Sequence, residues 1–106
     1  MISLSGIILF DPCDDIYVDH FPGCPVVPGS MIIQAFMLAA KKIMHFHGGC
    51  KVEKFRFRKF ISPGEYAYRI EPTGDNQLKC ILYEDQTKVV TGVLRLWSSN
   101  SPDTAF

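Results

Sequence analysis

The stretch SMIIQAFMLAAKKIMHFH, residues 30–47, predicts a long helix, and that helix would be apolar on almost every side. A helix of this kind is normally buried inside a protein rather than laid on its surface. Ser30 is the predicted N-cap, directly after Pro28 and Gly29, and the two glycines that follow the basic last turn predict the C-terminal end. We therefore expect one long buried helix with the rest of the chain arranged around it.

Five short segments, one before this helix and four after it, have the composition and the alternation of β-strands. Turns are predicted at 62–65, 72–76 and 84–86, where Pro, Gly, Asp and Asn cluster. The short links predict an antiparallel meander, and therefore an α+β fold. One sheet of this size covers only part of a helix that is apolar all round, so a second subunit is expected to cover the remainder. The predicted strands are 2–10, 52–61, 66–70, 78–83 and 88–97.

The length of 106 residues predicts a single domain over 1–97, followed by a flexible polar tail over 98–106. Eleven basic and eleven acidic residues cancel, which gives no reason to expect nucleic acid or a membrane surface as partner. The apolar helix is also too short to span a bilayer. The basic residues cluster between 51 and 59, where they form either a solvated strand face or a docking patch for an acidic partner.

Cysteines occur at positions 13, 24, 50 and 80, without a CxxC pair and without the spacing of a metal site. The sequence has neither a cluster of metal ligands nor a glycine-rich phosphate loop, so neither a metal nor a nucleotide site is expected. The first residues lack the basic and apolar regions of a signal peptide. Free thiols in a reducing cytoplasm are the expected state of the chain.

A loop over 19–29 is stiffened by prolines at every third position and carries His20 just before the helix. A lone histidine is often structural, but a rigid loop can also position an imidazole as a base near neutral pH. Gly29 and Ser30 would present free backbone N–H groups at the positive end of the helix, where a carbonyl oxygen gains negative charge. Together these features favour removal of a proton α to a carbonyl.

Gln34 is the polar side chain in the first half of the apolar helix. Burial of an amide is unfavourable unless the amide is hydrogen-bonded. Gln34 therefore either satisfies a local backbone group or faces a polar cavity, and the pattern leaves both interpretations open.

HFPGCPVVPGSMIIQA, residues 20–35, closely resembles the signature of the β-hydroxyacyl-[acyl carrier protein] dehydratases of the FabZ and FabA type. FRFRKFISPGE, residues 55–65, is similar to the second conserved block of that family. The resemblance implies a hotdog fold, in which a curved antiparallel sheet wraps a long helix and two protomers build the active sites at their interface. It implies no cofactor, an acyl carrier protein as partner, and a homodimer or higher homo-oligomer.

By this resemblance His20 is the catalytic histidine, Gly29 with Ser30 binds the thioester carbonyl, and Gln34 occupies the position of the catalytic acid. The family has Glu or Asp there, and an amide cannot exchange a proton with a leaving hydroxyl. The resemblance further implies a substrate tunnel at Phe21, Ile33 and Met37, and a carrier-binding surface at Arg56, Arg58 and Lys59.

A dehydratase acting on 3-hydroxyacyl thioesters is the expected function. Two alternatives remain: a thioesterase in which Gln34 positions water for His20, and a non-catalytic protein that binds acyl chains or acyl carriers. The hotdog fold alone does not decide between these activities.

Overall fold

The computed structural model describes residues 3–14, 25–42, 49–74 and 76–96. Five strands form one antiparallel sheet, and one helix packs on it, which confirms the α+β class. The strand order is β1-β3-β4-β5-β2. The elements are β1 (Leu4–Phe10), α1 (Gly29–Ala40), β2 (Cys50–Phe57), β3 (Gly64–Gly74), β4 (Gln77–Glu84) and β5 (Thr87–Leu96).

Helix α1 begins one residue before its predicted start. Pro28 is the N-cap, with extended backbone angles, and its carbonyl accepts hydrogen bonds from the N–H groups of Met31 at 3.0 Å and Ile32 at 3.3 Å. Ser30 is therefore the second helical residue, and the prediction that it caps the helix is wrong. The fixed φ of proline suits the extended N-cap position, but its ring offers no side-chain acceptor to the first N–H groups of the helix.

The described helix also ends earlier than predicted, at Ala40. The N–H of Lys41 donates to Met37 O at 3.3 Å, and the N–H of Lys42 donates to Ala39 O at 3.1 Å, so the backbone tightens directly after the helix. The predicted basic last turn is wrong as far as these two lysines are concerned. The remainder of the predicted helix, residues 43–48, lies outside the described part of the chain.

The predicted meander is correct for β3, β4 and β5, but not for β2. Strand β2 pairs with β5, at the opposite edge of the sheet from β1. Residues 58–63 carry the chain from β2 to β3, and two backbone bonds hold this link: Arg58 N–H to Val89 O at 2.8 Å, and Val27 N–H to Ile61 O at 2.9 Å. Alternation of side chains predicts a strand but not its partner, which is why the sequence did not show this crossing.

The pairing of β2 with β5 places the ring of Phe55 directly over Gly92. A Cβ atom at Gly92 would lie 2.3 Å from a ring carbon of Phe55, a separation that carbon atoms do not tolerate. Lys54, at the irregularity in β2, has a positive φ of 57°. Because Gly92 has no side chain, the Phe55 ring can pack against the core.

The turns differ from their predicted positions. Residues 72–74, predicted as a turn, belong to β3, which β1 accompanies only as far as Ile70. Pro72 consequently lies in a part of β3 that pairs with β4 but not with β1. Proline is tolerated there because its missing N–H can face the unpaired edge. Gly64 and Glu65 also belong to β3. The tight link at 84–86 is confirmed, and both of its central residues have positive φ.

One face of α1 is fully buried against the sheet. Phe36 has no exposed surface, and its ring centroid lies 6.1 Å from that of Phe55 and 6.2 Å from that of Tyr68. On the other side of the helix Gln34 is exposed, and 56% of Leu38 is exposed. Within the part of the chain that the structure describes, the helix is therefore buried on one side only. Its buried residues are Ile32, Phe36, Ala39 and Ala40.

Candidate active site

A cavity of about 280 Å³ opens at the N-terminal end of α1. Its walls come from the approach to the helix, from the first turn of the helix and from the end of β2 with the link that follows. All the lining side chains are apolar except that of Lys59. The lining residues are Val26, Val27, Pro28, Gly29, Ile32, Phe57, Lys59, Phe60 and Ile61.

Two extended segments hold the walls of this cavity in place. The N–H of Val27 donates to Ile61 O at 2.9 Å, and both side chains are almost fully buried. The segment that leads into the helix is therefore fixed to the segment that leads out of β2. Because both segments are tied to the core, the first turn of α1 has a defined position relative to the cavity.

Gly29, the first residue of α1, lies at the cavity wall with the ring of Phe57 against it. A Cβ atom at this position would lie 3.1 Å from Cζ of Phe57, which is tighter than ordinary van der Waals contact. Among the described residues, no acceptor is recorded for the N–H groups of Gly29 or Ser30. These N–H groups lie at the positive end of the helix, where an oxygen atom bearing partial negative charge is stabilised.

A row of aromatic rings connects the cavity with the core. The ring centroid of Phe57 lies 6.3 Å from that of Phe55, which is in contact with Phe36. Phe57 itself is 42% exposed, whereas Phe36 is fully buried. The position of the cavity wall therefore depends on core packing through Phe55.

Lys59 introduces the charge at the rim of the cavity. Its Nζ lies 2.5 Å from Oε1 of Glu84, at the end of β4. The hydrogen bond to Glu84 is the main reason that the pKa of Lys59 is raised. Lys59 is therefore a cation at neutral pH that already has a carboxylate partner within the chain.

The other predicted carrier-binding residues, Arg56 and Arg58, are exposed. Neither forms an ion pair with any residue in the part of the chain that the structure describes. The predicted basic patch thus consists of two arginines whose charges are available and one lysine whose charge is shared with Glu84.

Gln34 projects from the exposed side of α1, away from the sheet. The described residues leave its side chain exposed, so the two interpretations that the sequence left open, a hydrogen bond to a local backbone group and a polar cavity, both stay predictions. The predicted tunnel residues Ile33 and Met37 are half-buried, one turn apart on the helix, and they do not line the cavity described above. Their role in a tunnel stays a prediction.

His20 and Phe21 lie outside the described residues, as does the segment 15–24 that contains them. The roles of His20 as base and of Phe21 as tunnel residue stay predictions. The described chain resumes at Pro25, so the structure describes the site from Val26 to the start of the helix.

The sequence did not identify Ile32, Phe57, Phe60 and Ile61 as cavity residues. Three of them belong to the block 55–65 that carries the second part of the resemblance, which was the available signal. Nothing in the sequence indicated Glu84, because its proximity to Lys59 arises only from the fold.

Within the described ranges, no group of three or more His, Cys, Asp or Glu side chains could hold a metal ion. Cys13, Cys50 and Cys80 are unpaired thiols there, as predicted. In those same ranges no helix is both long and apolar enough to cross a membrane.

Comparison with known proteins gives related dehydratases. The bifunctional enzyme LpxC/FabZ of Chlorobaculum tepidum is 29% identical over 106 residues, covering 89% of this chain and 21% of that protein. The FabZ dehydratase of Herpetosiphon aurantiacus is 29% identical over 75 residues, covering 60% of this chain and 49% of that protein. The FabZ of Oenococcus oeni is 33% identical over 63 residues, covering 49% of this chain and 43% of that protein. The chain thus spans about half the length of these relatives or less.

Two solved structures share the fold. The dehydratase heterocomplex ApeI:P from Xenorhabdus doucetiae matches with a TM-score of 0.75 at 22% identity, over 89% of this chain and 86% of that one. A mutant of the fluoroacetyl-CoA-specific thioesterase FlK matches with a TM-score of 0.61 at 12% identity, over 88% and 82%. These matches confirm the predicted hotdog fold. The ApeI-like family, described as ApeI dehydratase, matches residues 3–93, so the chain belongs to this family of FabZ-type dehydratases.

Proposed function

We propose that this protein dehydrates 3-hydroxyacyl thioesters carried by an acyl carrier protein and releases the 2-enoyl thioester. The observation that carries the proposal is the start of α1 at Gly29, which opens on an apolar cavity. Fatty-acid synthesis or a related acyl pathway in the cytoplasm is the proposed setting.

In this mechanism the thioester carbonyl accepts a hydrogen bond from the Gly29 N–H, with Ser30 beside it. Negative charge grows on that oxygen as the α-proton leaves, and the helix N-terminus stabilises it. The apolar lining of the cavity at Gly29 lowers the local polarity, which strengthens this interaction. Phe57 contributes by holding one wall of the cavity close to Gly29.

His20 is the proposed base that takes the α-proton. The C–O bond at the β-carbon then breaks, the double bond forms between the α- and β-carbons, and the hydroxyl leaves as water once it gains a proton. Gln34 can orient that hydroxyl but cannot supply the proton. The proton therefore comes from His20 itself, from another carboxyl group of this chain such as that of Asp15, Asp19 or Glu65, or from a carboxyl group of a second subunit.

A second hotdog subunit is proposed to cover the exposed side of α1, where Gln34 and Leu38 lie. A second copy of this chain would bring another Gln34, so in a homodimer or higher homo-oligomer the proton would have to come from His20 or from a carboxyl group elsewhere in the chain. The ApeI neighbour was solved as a heterocomplex. A different subunit with a carboxylate at the equivalent position would supply the acid directly.

The test is turnover of 3-hydroxyacyl-carrier protein, with the 2-enoyl product followed by mass spectrometry. Wild type, His20→Ala and Gln34→Glu are compared, with Gln77→Glu in β4 as a control for the same chemical change outside the helix. We expect His20→Ala to abolish turnover and Gln34→Glu to increase it by about 100-fold, the lower end of the range of acid–base catalysis. Gln77→Glu should leave it unchanged.

The two alternatives give different results in the same assay. Free thiol without enoyl product would indicate hydrolysis, an activity that the FlK fold match makes worth testing but does not support by itself. Tight binding of the acyl carrier with neither product would indicate a non-catalytic binding protein. Either result from the wild type and from Gln34→Glu would contradict the proposed dehydratase.

A further inference from the structure

Lys59 and Glu84 form an ion pair at the rim of the cavity, and the position of this pair suggests a role in binding a partner. Lys59 Nζ lies 2.5 Å from Glu84 Oε1, and the two side chains remain 53% and 31% exposed. Lys59 also lines the cavity, whereas Glu84 does not. The lysine is thus accessible from outside while it is held by a carboxylate at the end of β4.

The backbone on both sides of the pair is fixed. The N–H of Arg58 donates to Val89 O at 2.8 Å, which ties the start of the link after β2 to β5. Glu84 ends β4, immediately before the tight turn into β5. Only the side chains therefore need to move for the pair to separate, and the barrier is that of a surface rotamer change.

The surrounding charges keep Lys59 protonated. Glu84, Tyr66 and Asp85 all raise the pKa of Lys59, with Glu84 contributing most, and only partial burial opposes them. The Tyr66 hydroxyl donates to Ser62 O at 2.6 Å, so its hydrogen is already committed. Glu84 is consequently the side chain that competes with any external anion for Lys59.

We propose that Glu84 is an internal competitor that lowers the affinity of the acyl carrier protein for the cavity entrance. The acidic surface of the carrier must displace Glu84 from Lys59 as it docks, whereas Arg56 and Arg58 offer their charges freely. Replacing the Glu84 carboxylate at Lys59 by a carboxylate of the carrier gains less binding free energy than pairing that carboxylate with an unpaired lysine. Glu84 therefore favours carriers with a strongly acidic surface over weakly acidic ones. This inference rests on the proposed function for the identity of the partner.

The carrier surface fits these observations because a carrier-bound thioester must enter the cavity while its protein remains outside. Lys59 lines the cavity, and the exposed Arg56 and Arg58 flank Phe57, which also lines it, on a chain whose net charge is zero. Complementary charge of this kind steers a docking partner and sets its register.

The test measures the affinity of carrier protein that lacks its phosphopantetheine arm, by fluorescence anisotropy at low salt. Glu84→Gln should bind about two- to fivefold more tightly than wild type, the scale of an exposed ion pair. Glu71→Gln is the matched control, because Glu71 is 32% exposed and its Oε1 lies 2.6 Å from Nε of Arg69, away from the cavity. It should bind like wild type, and the gain in Glu84→Gln should shrink at high salt.

A second pair of variants shows whether the effect acts through Lys59. In a Lys59→Gln background, Glu84→Gln should give no further gain. A gain that persists without Lys59, or an equal gain in Glu71→Gln, would mean a general effect of charge and would overturn the proposal. A gain seen only with carrier bearing phosphopantetheine would assign the contact to the phosphate and overturn it as well.

The result of the binding experiment does not depend on whether the protein catalyses dehydration. If carrier binds and Glu84 has the expected effect although no enoyl product forms, the docking inference stands and the dehydratase proposal fails. If turnover is seen but Glu84→Gln binds carrier like wild type, the dehydratase proposal stands and the competitor role of Glu84 fails.

Discussion

The two sides of helix α1 differ sharply in burial. Toward the sheet, Phe36 and Ala40 have no exposed surface, and their neighbours on this side are nearly as buried. Away from the sheet, Gln34 is exposed and Leu38 keeps 56% of its surface. Among the described residues, one side is thus covered and the other is not. The uncovered side carries Gln34, so the proposed assembly and the proposed chemistry would meet on the same surface.

The largest expected effect comes from the inner side. Phe36→Ala removes a ring that packs between Phe55 and Tyr68, and should lower the free energy of unfolding by about 3–5 kcal/mol, as for other buried aromatic residues. Leu38→Ala, on the outer side, is the control and should cost well under half as much in the dissociated chain. Urea denaturation at low protein concentration measures both. Equal losses would contradict the difference between the two sides.

A charge on the outer side tests whether a second subunit covers it. Leu38→Glu should leave the fold of the single chain intact, because the side chain is largely exposed. It should weaken association by about 1–3 kcal/mol, since a carboxylate would be buried in an apolar interface. Sedimentation velocity over a concentration series measures the shift toward monomer. Unchanged association would show that the partner subunit lies elsewhere.

A smaller effect concerns the thiols of the sheet. Burial raises the pKa of the Cys80 thiol to about 12, from 9.0. The folded state therefore keeps this proton at pH values where the unfolded chain loses it. The associated stability is complete below pH 9 and falls as the pH rises toward 12, with a loss of about 1 kcal/mol by pH 10.

This loss can be measured by denaturation between pH 8 and 10. Cys80→Ala should show a smaller fall over that range than wild type. Iodoacetamide should react with exposed Cys13 in the native protein and reach Cys80 only after unfolding. Rapid alkylation of native Cys80 would contradict its burial.

The sequence predicted the parts of the fold that depend on local pattern. Alternation located β1, β4 and β5 to within two residues, and turn chemistry located the link at 84–86. It could not show that β2 pairs with β5, because strand partners depend on contacts between distant residues. It also placed Pro72 in a turn, since the pattern does not reveal that β1 stops accompanying β3 at Ile70.

The candidate site divides in the same way. The string around Gly29 predicted the chemistry at the helix start, which stays a prediction, and the family match agrees with the resemblance that this string carries. The cavity walls formed by Ile32 and Phe57 were missed, because they arise where separate segments meet. The outward direction of Gln34 was equally hidden, since a helix that is apolar all round gives no inner side by pattern.

The ring of Phe55 over Gly92 has a consequence for how sequences of this fold can vary. Since no Cβ fits beneath the ring, any larger residue at position 92 requires a smaller one at position 55. The two sites should therefore change together among functional variants, although 37 positions separate them along the chain. A selection from a library randomised at both positions would recover paired combinations and few single replacements.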